Sequence, residues 1–181
     1  MNLSLFLVGL AKAAFGILVG AVGIFLAARA LHKLIGSGST DSQTRRGNVA
    51  VGVLTAGSLI ALGILLQHAV TATFSAMDLL YRGRELSVAA LRQVGVYAAI
   101  HLGLSILISA AVRALGTWLF ARLTRGVDEM KEVREGNVAP AVVLAAVMVV
   151  LALMTAPGLQ TALDGLLPLP SLARDELIAP S

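Results

Sequence analysis

The chain has 181 residues, of which 57% are apolar and 13% charged, and its mean hydropathy of +0.88 exceeds what a soluble domain of this size needs. This composition predicts a protein embedded in the lipid bilayer, with no separate soluble domain. The absence of cysteine excludes a disulfide framework, thiolate catalysis and cysteine-ligated metal. The net charge of +4 comes from basic residues beside apolar stretches and with few aromatic groups, which disfavours nucleic-acid binding.

Two apolar stretches in the first half of the chain are long enough to cross a bilayer. The first runs from Leu3 to Ala28 with Lys12 as its only charge, and the second runs from Val49 to Leu66 with none. Both reach the roughly 18 to 20 residues that a helix needs to cross about 30 Å of hydrocarbon. Cleavage of a signal peptide is disfavoured because no basic side chain precedes the first stretch. Lys12 then either snorkels toward the interface or faces a cavity.

Two further stretches follow in the second half. The third lies between Arg92 and Arg113, and the fourth runs from Val138 to about Ala156, where Pro157 and Gly158 are expected to end it. Their apolarity is continuous and does not alternate as it does in a strand of a membrane barrel. The sequence therefore predicts an all-α integral membrane protein, a four-helix bundle.

A tetrapeptide repeat divides the four stretches into two pairs. Gly47-Asn48-Val49-Ala50 begins the second stretch, and Gly136-Asn137-Val138-Ala139 begins the fourth. Each pair crosses the membrane an even number of times, so the two copies form a parallel repeat. We predict a first two-helix repeat at 1–68, an interfacial connector at 69–91, a second repeat at 92–158 and a short tail at 159–181.

The repeated Gly-Asn pair suits the start of a helix. Asn48 and Asn137 are expected to act as N-caps, and Gly47 and Gly136 to allow a sharp turn into the membrane. Pro140 fits this placement, since the first turn of a helix tolerates a missing N–H. The alternative, compatible with capping, is an anion or lipid-phosphate site formed by the two helix N-termini with the nearby arginines, which are Arg45, Arg46 and Arg134.

The basic residues also predict the orientation of the chain. Nine of the 14 Lys and Arg residues lie on the side of the Gly-Asn loops, with Arg113 and Arg122 counted in the second loop. The positive-inside rule then places these loops in the cytoplasm and both termini outside. Charges of alternating sign near the second loop predict a solvated helical segment with an ion pair between Lys131 and Glu135, or a docking surface for a partner.

The paired stretches and the repeated Gly-Asn-Val-Ala resemble the domain of unknown function 350 family, a group of small bacterial inner-membrane proteins. The resemblance covers roughly residues 5 to 160. It implies a four-span protein of the inner membrane with no established activity. Pro140, where the first repeat has Val51, departs from the repeat and suggests that the second copy packs differently.

Small and polar residues within the stretches mark candidate contact faces. Small residues four apart, typical of helix contact faces within one chain or between copies, occur in the first three stretches: Gly16 with Gly20, Gly52 with Ala56, and Gly95 with Ala99 and Gly103. His101 is the one titratable group well inside a stretch, and Ser105 follows one turn later. This pair is interpreted as a hydrogen-bonded packing group or as the lining of a pathway.

The sequence shows no nucleophile with a base, no paired carboxylates and no phosphate-binding loop, so enzymatic activity is disfavoured. No cofactor or metal is predicted, because His32, His68 and His101 lack the spacing of metal ligands. Two hypotheses remain. The first is a membrane anchor or interaction protein whose basic loops bind anionic lipid or a cytoplasmic protein. The second is a homo-oligomeric, channel-like or transport-related protein with a pathway near His101 and Ser105.

Overall fold

The computed structural model describes residues 3–35, 42, 45–81, 88–123 and 129–166. Four of its helices contain a segment long and apolar enough to cross a membrane, and the described part of the chain contains no strand. The prediction of an all-α, four-helix membrane bundle is confirmed. The helices are α1 (Leu3–Ile35), α2 (Val49–Tyr81), α3 (Val88–Leu123), the short α4 (Glu129–Arg134) and α5 (Val138–Asp164).

Helix α2 lies at the centre of the bundle. It contacts α1, α3 and α5, and its contact with α5 is the most extensive in the molecule. Because α2 and α5 are the second helices of two parallel repeats, they run side by side in the same direction. Their first residues share one end of the bundle, which we call the Gly-Asn end. The largest fully buried apolar side chains come from these two helices: Leu54, Leu65, Leu144, Met148, Leu159 and Leu163.

The α2–α5 contact depends on a glycine. A Cβ atom built on Gly57 would lie 2.9 Å from the Cα of Ala145 and closer still to its Cβ. The two backbones therefore approach one another at a distance that no other residue at this position would permit. In lipid, where no hydrophobic effect drives helices together, close van der Waals contact between small residues is a main source of association.

Five glycines that the sequence marked as contact faces, within one chain or between copies, do not make close contacts of this kind. A Cβ atom built on any of these glycines has no neighbouring atom within 4 Å. The close contacts occur instead at Gly57, at Gly23 against Leu66 and at Gly116 against Met148. Spacing along one helix shows that a smooth face exists, but the rotation of the helix decides whether a neighbour covers it. Gly16, Gly20, Gly52, Gly95 and Gly103 therefore make no close contact with another helix of the chain, and contact between copies at these positions remains a prediction.

Helix α2 extends well beyond Leu66, where the sequence predicted the end of the second span. Thr71, Thr73 and Ser75 each donate a hydroxyl hydrogen bond to the carbonyl four residues earlier, which satisfies these polar groups within the helix. Residues 69–81 of the expected connector are therefore a continuation of α2. The connector residues 82–87 and the tail residues 167–181 lie outside the described residues.

Helix α5 also continues past its predicted end. Pro157 lies inside the helix, which runs to Asp164 and is capped by Gly165. Proline removes one backbone hydrogen bond, but Leu159 and Leu163 beyond it are fully buried against the core. Burial of these two leucines favours continuation of the helix, so the prediction that Pro157 and Gly158 end it was wrong.

We predict that Gly57→Ala destabilises the bundle by about 1 to 3 kcal/mol, because the added methyl group forces α2 and α5 apart. Gly63→Ala is the matched control on the same helix, since nothing lies within 4 Å of its added Cβ. Alanine has the higher helix propensity, so the control is neutral or stabilising. Thermal unfolding in detergent measures both, and equal midpoints for the two variants would contradict the close α2–α5 contact.

Candidate functional site

The Gly-Asn pair joins the end of one helix to the start of the next. Gly136 has a φ of +97°, in the left-handed region that favours glycine. Its N–H donates to the carbonyl of Val133, and the N–H of Asn137 donates to that of Glu132, at 3.1 and 2.9 Å. These two bonds form the Schellman motif that ends α4. Gly47 has a φ of +76° at the corresponding position of the first repeat.

Both asparagines cap the helices that follow them, but at different residues. The Oδ1 of Asn48 accepts from the N–H of Val51 at 3.1 Å, whereas the Oδ1 of Asn137 accepts from the N–H of Ala139 at 3.2 Å. The residue of α5 equivalent to Val51 is Pro140, which has no N–H to donate. The proline thus moves the capping bond one residue earlier in the second repeat.

Asn48 also connects the two repeats. Its Nδ2 donates to the carbonyls of Val133 and Arg134, the last residues of α4, at 3.1 and 3.0 Å. One side chain therefore caps the start of α2 and the end of α4. The Nδ2 of Asn137 instead donates to Glu132 Oε2 at 2.9 Å, within its own repeat.

The arginines predicted to form an anion site lie at the Gly-Asn end. Arg45, Arg46 and Arg134 are all exposed there. The predicted ion pair between Lys131 and Glu135 is confirmed, with a distance of 3.9 Å. An anion or lipid-phosphate site at this end remains a prediction.

A buried polar stripe follows one face of α3 toward the core. We define this polar stripe as His101, Ser105, Ser109 and Arg113, which are spaced four residues apart and are between 0% and 7% exposed. The sequence had placed Arg113 in a loop. This was wrong, because α3 continues to Leu123 and buries Phe120 against the core.

His101 pairs with α2 across the helix interface. Its Nδ1 lies 3.2 Å from Thr73 Oγ1, and Thr73 Oγ1 is 2.8 Å from the carbonyl of Ala69. Thr73 has one hydroxyl hydrogen and donates it to that carbonyl, so its bond to His101 requires a proton on Nδ1. The imidazole Nε2 is then turned away from this bond.

Several polar atoms of the stripe are buried without a partner. Within the described chain these are His101 Nε2, Ser105 Oγ and Arg113 Nη1. Ser109 is satisfied through its own helix, since its hydroxyl donates to the carbonyl of Ser105 at 2.7 Å. On α2, Ser58 donates to the sulfur of Met148 at 3.2 Å, which is a weak acceptor.

A narrow void separates α3 from α2 at the Arg113 end of the stripe. It has about 160 Å³ of empty space and is too narrow to admit a water-sized sphere. Arg113, Ser109 and Ser58 border it through the apolar parts of their side chains. The remainder of its lining is apolar, from Ala61, Leu62, Leu65 and Val112.

Lys12 has an ionic partner that the sequence did not indicate. Its Nζ lies 3.3 Å from both carboxylate oxygens of Asp78, and 5.2 Å from the centre of the Phe74 ring. The apolar span of α2 extends to Asp78, beyond the end at Leu66 that the sequence predicted. This contact joins α1 to α2 at the end of the bundle opposite the Gly-Asn end.

Comparison with protein families agrees with this architecture. The family model described as Domain of Unknown Function (DUF350) matches residues 4–159. The chain belongs to this family. Comparisons with curated proteins and with solved structures gave no match. In this DUF350 protein, the match begins in α1, includes both Gly-Asn motifs and ends within α5.

Sequence reasoning identified the first half of the polar stripe and missed the second. His101 and Ser105 were singled out, whereas Ser109 and Arg113 were not. The signal was present, because both continue the same spacing of four residues along the helix. A span limited to about 20 residues excluded Arg113 from the membrane, although α3 is longer than that.

We predict that Asn48→Asp destabilises the protein by about 1 to 3 kcal/mol, even though aspartate and asparagine are equally good N-caps. The carboxylate retains the bond from Val51 but places negative charge against the carbonyls of Val133 and Arg134. Thermal unfolding in detergent measures the loss. Asn48→Ala serves as the comparison, and an Asn48→Asp variant as stable as the wild type would show that this bridge contributes little.

Proposed function

We propose that this membrane protein provides a narrow pathway for small ions along the polar stripe of α3, and that the conformation described here is closed. The supporting observation is the line of buried polar side chains, three of them with an unpartnered atom, inside a membrane-spanning bundle. Ionisable residues within membrane spans are costly and commonly mark pathways for ions or substrates.

The energetic cost of the stripe argues against a purely structural role. An unpartnered buried polar atom costs about 1 to 3 kcal/mol. An arginine at the centre of a membrane helix costs about 2.5 to 3.5 kcal/mol by insertion scales. Apolar residues at these positions would make a more stable anchor. A second conformation, in which water enters the pathway and hydrates the stripe, accounts for the presence of polar residues at these positions.

The dimensions of the stripe fit a membrane pathway. From His101 to Arg113 the rise is about 18 Å at 1.5 Å per residue, more than half of the roughly 30 Å hydrocarbon core. Thr73 supplies a hydroxyl group from α2 on the facing side. Two helices thus contribute polar groups to one line within a single chain.

Opening requires α3 to move away from α2. The void beside Arg113 is too narrow for water, so the described conformation does not conduct there. The movement breaks the hydrogen bond between His101 and Thr73 and separates the apolar side chains that pack between the two helices. Ser109 bonds to its own helix and keeps this bond when the helices separate.

A second candidate function is a membrane anchor whose Gly-Asn end binds anionic lipid or a protein partner. The observation that favours it is the exposure of Arg45, Arg46 and Arg134 at that end. This function needs the Gly-Asn end in the cytoplasm of a bacterium, in the inner membrane, with both termini outside. Binding to vesicles with and without anionic lipid tests it, and equal binding to both would contradict it.

For the pathway, we predict ion flux into proteoliposomes that contain the purified protein, and a flux about tenfold lower for Ser105→Ala. The hydroxyl supplies a hydrogen bond to a passing ion, and loss of about 1.5 kcal/mol lowers a rate roughly tenfold. Flux is followed with ion-sensitive dyes inside the vesicles.

Ala110→Ser is the matched control, since it adds a hydroxyl on an exposed face of α3 outside the stripe. Its flux should equal that of the wild type. Folded wild-type protein that gives no flux of any common cation or anion would contradict the pathway, as would equal flux through Ser105→Ala.

A further inference from the structure

A groove follows the contact between α1 and α2 on the outside of the bundle. It has a volume of about 600 Å³. Its lining includes Gly16, Gly20 and Ile24 of α1, and Leu59, Gly63 and Val70 of α2. The missing side chains of the three glycines leave this space, since a Cβ atom built on any of them has no neighbouring atom within 4 Å. The lining residues belong to the apolar spans of both helices, so the groove opens toward lipid.

The groove has the shape of an extended hydrocarbon chain. From Leu59 to Thr71 it follows α2 for about 18 Å, at 1.5 Å per residue. Its volume of about 600 Å³ over this length gives a mean width of about 6 Å, roughly half the diameter of a helix with its side chains. The lining is apolar apart from Gln67 and Thr71, and Thr71 donates its hydroxyl hydrogen to the carbonyl of Gln67 at 2.9 Å. One acyl chain therefore fills the groove, whereas a helix is too wide to enter it.

An ion pair lies beyond one end of the groove. Lys12 precedes Gly16 by one turn of α1, about 6 Å along the helix. Its Nζ is 3.3 Å from both carboxylate oxygens of Asp78, the last residue of the apolar span of α2. The two side chains are 29% and 64% exposed, so both charges are accessible to a ligand. The groove thus leads from the hydrocarbon to a pair of opposite charges at the end of a span.

We propose that this groove binds an acyl chain of phosphatidylethanolamine, a zwitterionic phospholipid with a primary ammonium group, and that Lys12 and Asp78 bind its headgroup. The phosphate accepts a hydrogen bond from the Lys12 ammonium, which has three donors. The lipid ammonium donates to the carboxylate of Asp78, which has about four acceptor positions. The site is separate from the polar stripe on α3 and does not depend on the pathway.

The two charges of the ion pair select the headgroup. Because Lys12 and Asp78 compensate each other, the anionic headgroup of phosphatidylglycerol adds an uncompensated negative charge beside Asp78. The quaternary ammonium of phosphatidylcholine carries no N–H and makes no hydrogen bond to the carboxylate. Phosphatidylethanolamine brings one charge of each sign, and each finds its opposite in the ion pair. It is therefore expected to bind more tightly than the other two lipids.

Thermal unfolding in detergent measures this preference. Phosphatidylethanolamine, phosphatidylcholine and phosphatidylglycerol with identical acyl chains are added separately to the purified protein. Phosphatidylethanolamine at a few times its dissociation constant is expected to raise the midpoint by about 2 to 3 °C. The other two lipids need about tenfold higher concentrations for the same rise, since each lacks one charge-assisted hydrogen bond. Equal rises with all three lipids overturn the proposed headgroup site.

Gly63→Leu tests the groove, because the added side chain occupies the space of the acyl chain. The variant is expected to lose the rise caused by phosphatidylethanolamine. Gly103→Leu is the matched control, since Gly103 is an exposed glycine of α3 whose added Cβ also has no neighbouring atom within 4 Å. The control should retain the full rise. An undiminished rise in Gly63→Leu overturns binding in the groove.

Asp78→Asn tests the headgroup site, even where Gly63→Leu does not fold. It keeps the size of the side chain and leaves Lys12 without its carboxylate, so the order of the lipids is expected to reverse in favour of phosphatidylglycerol. Glu135→Gln removes the acid of the exposed ion pair at the Gly-Asn end and should keep the preference for phosphatidylethanolamine. An unchanged order in Asp78→Asn overturns the role of the ion pair.

A second copy of the chain is the competing occupant of the groove. Light scattering of the purified protein in detergent measures the number of copies in each particle. A single copy with a rise selective for phosphatidylethanolamine supports the lipid site. A wild-type dimer that Gly63→Leu converts to single copies, with equal effects of the three lipids, assigns the groove to the second copy and overturns the lipid site.

Discussion

The close contact between two parallel helices, α2 and α5, determines the arrangement of the rest of the bundle. Gly57 allows the backbone of α2 to lie directly against Ala145, and no other residue type fits between them. The contact places both first turns at one end, where Asn48 is able to reach the end of α4. It also creates the surface against which α3 packs. Helix α3, which carries the polar stripe, packs against both helices of this pair.

Lipid places a second constraint on the chain, since a polar group in hydrocarbon must find a partner within the protein. Most hydroxyl groups in the long helices find this partner within their own helix. Thr55, Thr117 and Thr155 each donate to the carbonyl four residues earlier, whether or not another helix is near. Among the described residues, the buried side-chain polar atoms without a partner are His101 Nε2, Ser105 Oγ and Arg113 Nη1, and all three lie on one face of α3. Their concentration there, more than the presence of any single histidine, is the observation that supports a functional role.

The sequence predicted features that depend on neighbouring residues along the chain. Hydropathy over about 20 residues identified four spans, because each helix must satisfy the membrane by itself. The caps at Asn48 and Asn137 were predictable because a cap bonds to an amide two or three residues away. The same local chemistry explains why Pro140 shifts the second capping bond.

Features that depend on contacts between helices were not predictable from one sequence. Lys12 and Asp78 lie on different helices, and nothing in the sequence around either residue indicates that the two form an ion pair. The choice of Gly57 over Gly52 as the close contact depends on the rotation of α2 about its axis. The continuation of α5 through Pro157 depends on the burial of side chains beyond it, which local propensity does not include.

A pathway along the polar stripe requires the stripe to become hydrated when α3 moves, and cysteine accessibility measures this hydration. The chain contains no cysteine, so a single cysteine introduced on α3 is the one thiol that a reagent labels. A charged, water-soluble thiol reagent needs water to form the reactive thiolate. In liposomes we expect labelling at positions 105 and 109 and none at the exposed positions 107 and 110, which face lipid. Equal protection at all four positions, with cysteines at the helix ends fully labelled, would show that the stripe stays dry and would rule out the pathway.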